Sequence, residues 1–434
     1  MKTLTRQEKK SGQKNYLAFC TMNGLSMAFL AETTLILYAL KIGVPDYIVA
    51  VMASFAFLGT FFVIAGRVFV KTLGTTRTAS ISWYMRNTFG VFTALAPIIM
   101  VYYSPFLGAV VILIGSFGFY SSRGIGLAAL LPIIGEITDE EEKGKFNSKT
   151  AFSYNIGYFI AMTLLVFLFG ISDEISTFQL IIVGGFLIGC YSGYRVSKIP
   201  ESGIAKESAA YAFRDSLKFC FSTDNIRTLM IVQAICYCSI ALVVPYSVLA
   251  LKEIYEVRDY SALLFIIVQG GGAIVMSVFI SKFSKRDSFK KLLFFSYGLL
   301  TLVTLIWTAM PFDFKWYYVF IIFLLAGVGQ AGIFISLSHY FLNVTPQERL
   351  VGSNMAISVF SSVTAGIVGA LAGAVVLKSL EFLQLSEISL YKLFFIIIFI
   401  FLLSGVFLIM RFEKLTVLNL IKLYKNNLPA HLKE

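Results

Sequence analysis

The chain has 434 residues, of which 58% are hydrophobic, 15% aromatic and only 14% charged. A soluble domain carries about 25% charged residues, and little more than half that charge cannot coat a water-soluble globule of this size. Disorder and a nucleic-acid-binding domain are excluded on the same ground despite a formal net charge of +12, so the surplus apolar surface faces lipid and the chain is a polytopic membrane protein.

A helix needs about 20 mostly apolar residues to cross a bilayer. Twelve such stretches occur in chain order: 15–40, 46–70, 78–103, 106–135, 148–170, 175–197, 225–250, 259–283, 288–310, 315–342, 350–378 and 389–411. They are too long and too uniformly apolar for the alternating segments of about 10 residues in an outer-membrane barrel. The predicted fold class is therefore an all-α membrane protein. Residues 1–14 are polar, and the apolar run after them is long enough to span rather than to be removed as a signal.

The basic residues set the orientation. With residues 1–14 on the cytoplasmic side, 28 of the 36 Lys and Arg fall on cytoplasmic segments and helix ends, and six fall in outer loops. Short cytoplasmic loops are enriched in these residues, so both termini are predicted to be cytoplasmic in a multi-pass protein of the inner membrane. Anionic lipid headgroups account for the net charge. Five cysteines, Cys20, Cys190, Cys220, Cys236 and Cys238, are scattered and odd in number. They read as small buried hydrophobes rather than as a disulfide or metal site.

The longest polar stretch of the interior, 198–224, divides the chain nearly in half. Within it, 208–221 reads either as an amphipathic helix on the inner membrane face or as a plain linker. The predicted organisation is a cytoplasmic N-terminus (1–14), a six-helix bundle (15–197), the middle loop (198–224), a second six-helix bundle (225–411) and a cytoplasmic tail (412–434). The halves look like copies. Ala39-Leu40-Lys41 with Asp46-Tyr47 matches Ala250-Leu251-Lys252 with Asp259-Tyr260. Thr138 and Asn147 in the loop after span four match Thr345 and Asn354 after span ten, both at an offset of 207.

Six plus six helices, a long middle loop and repeated halves resemble the major facilitator superfamily over nearly the whole chain. Val344-Thr345-Pro346-Gln347-Glu348-Arg349 looks like that family's acidic-basic loop. Between spans two and three the chain has Gly66, Val70, Lys71, Gly74 and Arg77, where the family pattern has an acid in the place of Val70. The resemblance implies twelve transmembrane helices in two pseudo-symmetric bundles, the major facilitator fold. It also implies a monomer and a central cavity lined by spans one, four, seven and ten. Two matching bundles around one site near the midplane are the arrangement that supports alternating access.

Ionisable groups at lipid depth cost about 2.5–3.5 kcal/mol each on insertion scales, so each needs a reason. Glu32, on span one, has only apolar residues and threonines beside it. It is the candidate proton-coupling site; the competing reading is a fixed ion pair with Arg123. Arg123, on span four, shares a helical face with Ser116 and Tyr120, which precede it by seven and three residues. At the offset of 207 its counterpart is Gln330 on span ten. An arginine fork facing an amide suits a carboxylate, a phosphate or sugar hydroxyls. Gln233 and Tyr237 on span seven, and Tyr154 and Tyr158 on span five, are further candidate substrate contacts, each pair four apart. Arg86, on span three, is expected to snorkel to the inner face. Gly270-Gly271-Gly272 and the set Gly366, Gly369 and Gly373 are expected at close helix contacts.

A multipass membrane enzyme is the rival class. The chain has two histidines, His339 and His431, with no metal-ligand spacing, and no nucleophile–base pair or nucleotide motif. The prediction is a proton-coupled secondary transporter for a small polar organic solute, an organic anion or a saccharide, with no cofactor. Efflux or flipping of amphipathic compounds or lipids is the alternative on the same fold.

Overall fold

The computed structural model describes residues 4–427 except 31, 46–47, 50–51, 53–54, 57, 140–141, 173, 258 and 284–288. Of residues 32–33, 259–263, 283, 370 and 411–427 it describes the backbone alone. Among the described residues all regular structure is helical. Ten helices are long and apolar enough to cross a membrane. They are Arg6–Lys41, Pro105–Ile137, Lys143–Ile171, Ile175–Ser197, Asp224–Tyr255, Leu264–Lys282, Phe289–Thr308, Trp316–Val344, Gln347–Glu381 and Glu387–Met410. In order these are predicted spans one and four to twelve.

Span three is assembled from shorter pieces, and of span two several residues lie outside the described set. Span two ends as a 3-10 turn, Gly59–Phe62, followed by the helix Val63–Leu73. Span three is Thr75–Phe92, a 3-10 turn Thr93–Leu95, and Ala96–Tyr102 with a proline in its first turn. Pro97 has no N–H to give the preceding turn, and the Thr93 hydroxyl donates to the Gly90 carbonyl at 2.6 Å, so one helix stops there and the next restarts. Span one, Arg6–Lys41, is described on either side of residue 31 as Arg6–Leu30 and Glu32–Lys41, and the Thr34 hydroxyl donates to the Ala28 carbonyl at 2.7 Å.

Glycines set the internal spacing of both halves in the same way. A Cβ on Gly124 of span four would land on the Gly59 carbonyl of span two, and one on Gly327 of span ten would land on the Gln269 carbonyl of span eight. Backbones approach this closely in a membrane only where the side chain is absent. The expected close glycine contacts are met in part: Gly272 lies against Leu324, and Gly369 and Gly373 lie against Ala241 and Tyr246 of span seven, whereas Gly270 and Gly271 have only the Phe159 ring at ordinary contact distance. Span eleven is wound as a π-helix over Ala365–Leu371.

The halves meet most tightly at the end that carries residues 4–14 and the middle loop, here the basic end. One apolar cluster runs through both halves there, from Tyr16, Phe146 and Ile137 to Leu337, Tyr340 and Leu350. At the opposite end, the cluster built from Tyr38, Ala94, Ile112 and Phe178 contains first-half residues alone among those described. The repeated asparagines clasp the basic end reciprocally. Asn147 Nδ2 donates to the Ile335 carbonyl at 3.3 Å, and Asn354 Nδ2 donates to the Leu127 carbonyl at 3.1 Å.

The middle loop is packed onto this clasp. It contains the helices Ile204–Ser208 and Phe213–Ser222, so its second part is a helix rather than a plain linker. The Glu201 carboxylate accepts from the Thr76 backbone N–H and from the Thr75 and Thr76 hydroxyls at the start of span three. A carboxylate therefore reaches the loop where Val70 stands in place of the family's acid. Arg67 of span two donates to the Ala209 and Tyr211 carbonyls, and Arg349 stacks on the Tyr211 ring at 3.4 Å. Burial pushes the Cys220 thiol up to about 11, which leaves it protonated and unreactive at neutral pH. All five cysteines are free thiols.

Candidate functional site

Span four places Arg123 at the middle of the helix Pro105–Ile137. Its side chain is partly buried and makes no hydrogen bond or ion pair among the described residues. The side chains of Ser116 and Tyr120, seven and three residues earlier, are buried at 1% and 5% exposure. The Ser116 hydroxyl has no hydrogen-bond partner among the described residues. Tyr120 packs its ring edge-on against Phe119, centroids 5.3 Å apart, and its backbone lies against Gly59.

Arg123 looks across the interface. It lies within electrostatic reach of the Tyr237 hydroxyl on span seven. The Tyr237 ring meets Phe334 of span ten edge-on at 5.4 Å, and Phe334 is one turn beyond Gln330. Gln330 Oε1 accepts from Gln269 Nε2 of span eight at 2.7 Å. Gln233, one turn before Tyr237, is buried at 9% exposure. Tyr154 and Tyr158 stack with centroids 6.3 Å apart. On the same helix Asn155 Nδ2 donates to the Ser277 hydroxyl of span eight at 3.1 Å. Glu32 lies on span one; its side chain lies outside the described residues.

Arg86 overturns one expectation. It does not snorkel: its side chain is 0% exposed, held inside the first bundle. Its guanidinium donates to Asn23 Oδ1 at 2.6 Å, to the Ser26 hydroxyl at 3.1 Å, and to Asn87 Oδ1 at 3.1 and 2.8 Å. The Trp83 and Phe119 rings lie 5.1 and 5.0 Å from its central carbon. Enough neutral acceptors and ring faces surround the head group that it has no need to reach the membrane surface. Asn23 also accepts from the Trp83 indole at 2.8 Å. Arg86 lies within electrostatic reach of both Arg123 and Tyr154.

Arg123 thus lies within electrostatic reach of Arg86 in the first half and of Tyr237 in the second, and the Tyr237 ring packs against Phe334, one turn beyond Gln330. Ser116 and Tyr120 belong to the packed interior behind Arg123. Two groups escaped the sequence reading. Gln269 is a lone amide in an apolar helix, one residue before the triple glycine, and its polarity was the available signal. The Arg86 cradle was signalled by Asn23 and Ser26, three apart on one face of span one.

The fold can now be set beside known proteins. The family model described as Major Facilitator Superfamily matches residues 15–373. No curated protein sequence matches the chain. Among solved structures, the human organic anion transporter MFSD10 superposes with a TM-score of 0.70 at 10% identity, covering 92% of this chain and 99% of that one. A bacterial homologue of the iron transporter ferroportin, in its outward-facing state, gives a TM-score of 0.68 at 13% identity, covering 93% of this chain and 99% of that one. The proton:xylose symporter XylE gives 0.65 at 12% identity, covering 92% and 96%. These identities establish a shared fold and nothing about cargo. An all-helical membrane fold with a family match over residues 15–373 makes this chain a member of the Major Facilitator Superfamily.

Proposed function

We propose that the chain is a secondary active transporter that moves a small polar organic solute, an organic anion or a saccharide, across the cytoplasmic membrane by alternating access. The observation that carries this reading is the set of polar groups on intramembrane helices of both halves, Arg123 within electrostatic reach of Tyr237 and the bonded pair Gln269 and Gln330. Such groups are costly inside a bilayer unless they serve a pathway. Both halves contribute to the set, so a solute held there changes its contacts when one bundle rocks against the other.

With the basic end in the cytoplasm, the reciprocal asparagine bonds clasp the two halves on the inner side, which fits an outward-facing state, while Ile266 and Ile267 of span eight stay packed against the outer part of span five. Both termini are then inside, and the two bundles are residues 15–197 and 225–411, joined by the loop 198–224. The substrate contacts are Arg123, Gln330, Gln233 and Tyr237, with Tyr154 and Tyr158 at the edge and Ser116 and Tyr120 behind. Glu32 takes up and releases the coupling proton, and the protein works as a monomer. Among the neighbours, one is an organic anion transporter and another a proton:xylose symporter by name, both within this range of cargo.

The test is flux in proteoliposomes of purified protein, with an imposed pH gradient, measured for radiolabelled succinate, gluconate, glycerol 3-phosphate, glucose and xylose. Uptake of one of them above protein-free vesicles, abolished by collapsing the gradient, is the expected result. Flux of a cargo that ignores the gradient would remove proton coupling. Hydrolysis or group transfer by the purified protein would replace the transport reading with an enzymatic one.

A further inference from the structure

The whole sequence places three ionisable residues at mid-depth in the spans: Glu32, Arg86 and Arg123. Two are positive, and one carboxylate can balance at most one of them. If that carboxylate takes up a proton during the cycle, neither is balanced. The structure shows how the surplus is distributed. Arg86 is fully buried, and among the described residues every hydrogen-bond acceptor around it is a neutral amide or hydroxyl oxygen. Hydrogen bonds of that kind satisfy the fork but leave its charge in place. Arg123 has no described partner at all, is partly exposed, and sits within electrostatic reach of Arg86. Tyr237, the group of the second half within its electrostatic reach, is neutral, as are the bonded amides Gln269 and Gln330 on spans eight and ten.

Two like charges near each other in a medium of low dielectric repel strongly, and an anion between the two halves removes that repulsion. We infer that the solute carried is an oxyanion, a carboxylate or phosphoryl group on a hydroxylated or amide-bearing body, and that Arg123 holds its charged end while Arg86 acts as a fixed positive charge behind it. The inference rests on the transport reading above and narrows its cargo from anion or saccharide to anion. A planar fork matches the two oxygens of a carboxylate or phosphate. The Gln330 amide and the Tyr237 hydroxyl and ring remain for the neutral part of the solute. Arg86 is closed off by Trp83, Phe119 and Asn23, so it acts as a positioning residue through its field rather than by contact.

The test uses the full chain in detergent at low ionic strength. Thermal stabilisation is read for succinate, gluconate and glycerol 3-phosphate, each beside its neutral counterpart, butane-1,4-diol, sorbitol and glycerol. At least one anion is expected to raise the midpoint by about 2 °C or more, and its neutral counterpart is not. The stabilisation should vanish in Arg123→Gln. It should weaken in Arg86→Gln and return in Arg86→Lys, which restores the charge but not the fork; a purely structural arginine would not be rescued in this way. The succinate and gluconate arms separate a carboxylate from the phosphoryl group of glycerol 3-phosphate. Equal stabilisation by a neutral counterpart, or none by any of the three anions, overturns the inference. Flux of a neutral sugar in proteoliposomes would then leave the transport reading standing, whereas flux of no solute would remove both.

Discussion

In the first half the bundle interior holds Arg86 and Arg123, while the facing helices of the second half hold Gln233, Gln269 and Gln330. The scaffolds of the two halves nevertheless correspond closely. Gly124 closes on span two as Gly327 closes on span eight. Asn147 and Asn354, 207 residues apart, exchange equivalent bonds across the interface. The pseudo-twofold relation is thus kept where backbones must touch and dropped at the polar residues of the proposed site. A duplicated half constrains packing, because close helix approach tolerates few side chains. It does not constrain the charge of residues that line the space between the halves.

The division of labour can be broken first at Glu32. Glu32→Gln is expected to abolish accumulation against a gradient while sparing exchange at equilibrium, measured as counterflow in proteoliposomes. Full retention of accumulation would mean that the charged half is not the coupling half. Next come the two glycines. Gly124→Val and Gly327→Val each put a methyl-bearing carbon on a neighbouring backbone oxygen, at about 1–3 kcal/mol. Both should lower the thermal midpoint by similar amounts, and a loss confined to one variant would show that the halves are not equivalent scaffolds.

The clasp offers a finer comparison. Asn147→Ala and Asn354→Ala each delete one side-chain hydrogen bond across the interface, worth about 1 kcal/mol or a fivefold shift in population. Spin labels at the exposed Lys145 and Glu348 positions should report a larger share of the state opened at the basic end, to the same extent in both variants. The smallest effect is expected at the neutral wall. Gln269→Leu and Gln330→Leu break an interhelical bond of about 0.6 kcal/mol, and should change the apparent affinity about threefold without changing the charge preference of the cargo. A change of preference there would move the specificity from the charged half to the neutral one.

Much of the fold was legible in the residue pattern because the bilayer leaves few choices. Uninterrupted apolar runs of the right length can only be helical spans, and ten of the twelve appear as single long elements. Span three is broken because Thr93 and Pro97 disturb local bonding, an effect that a count of apolar residues does not register, and several residues of span two lie outside the described set. Arg123 and Gln330 were legible as candidates since a polar group in an apolar helix stands out. Their company was not, because Gln330 is bonded by Gln269, which lies 61 residues away.

Composition and apolar periodicity by themselves determined that this is a helical membrane protein of two repeated halves, since burial of apolar surface in lipid depends on residue type and spacing alone. Only the tertiary structure decided that Arg86 stays inside the bundle and that Glu201 stands in for a missing loop acid. It alone decided, too, that the repeated asparagines face each other's half. Each of these depends on which distant residues supply a hydrogen-bonding partner or a ring face, and contacts between separate helices are set by how the bundle packs rather than by any local run of the chain.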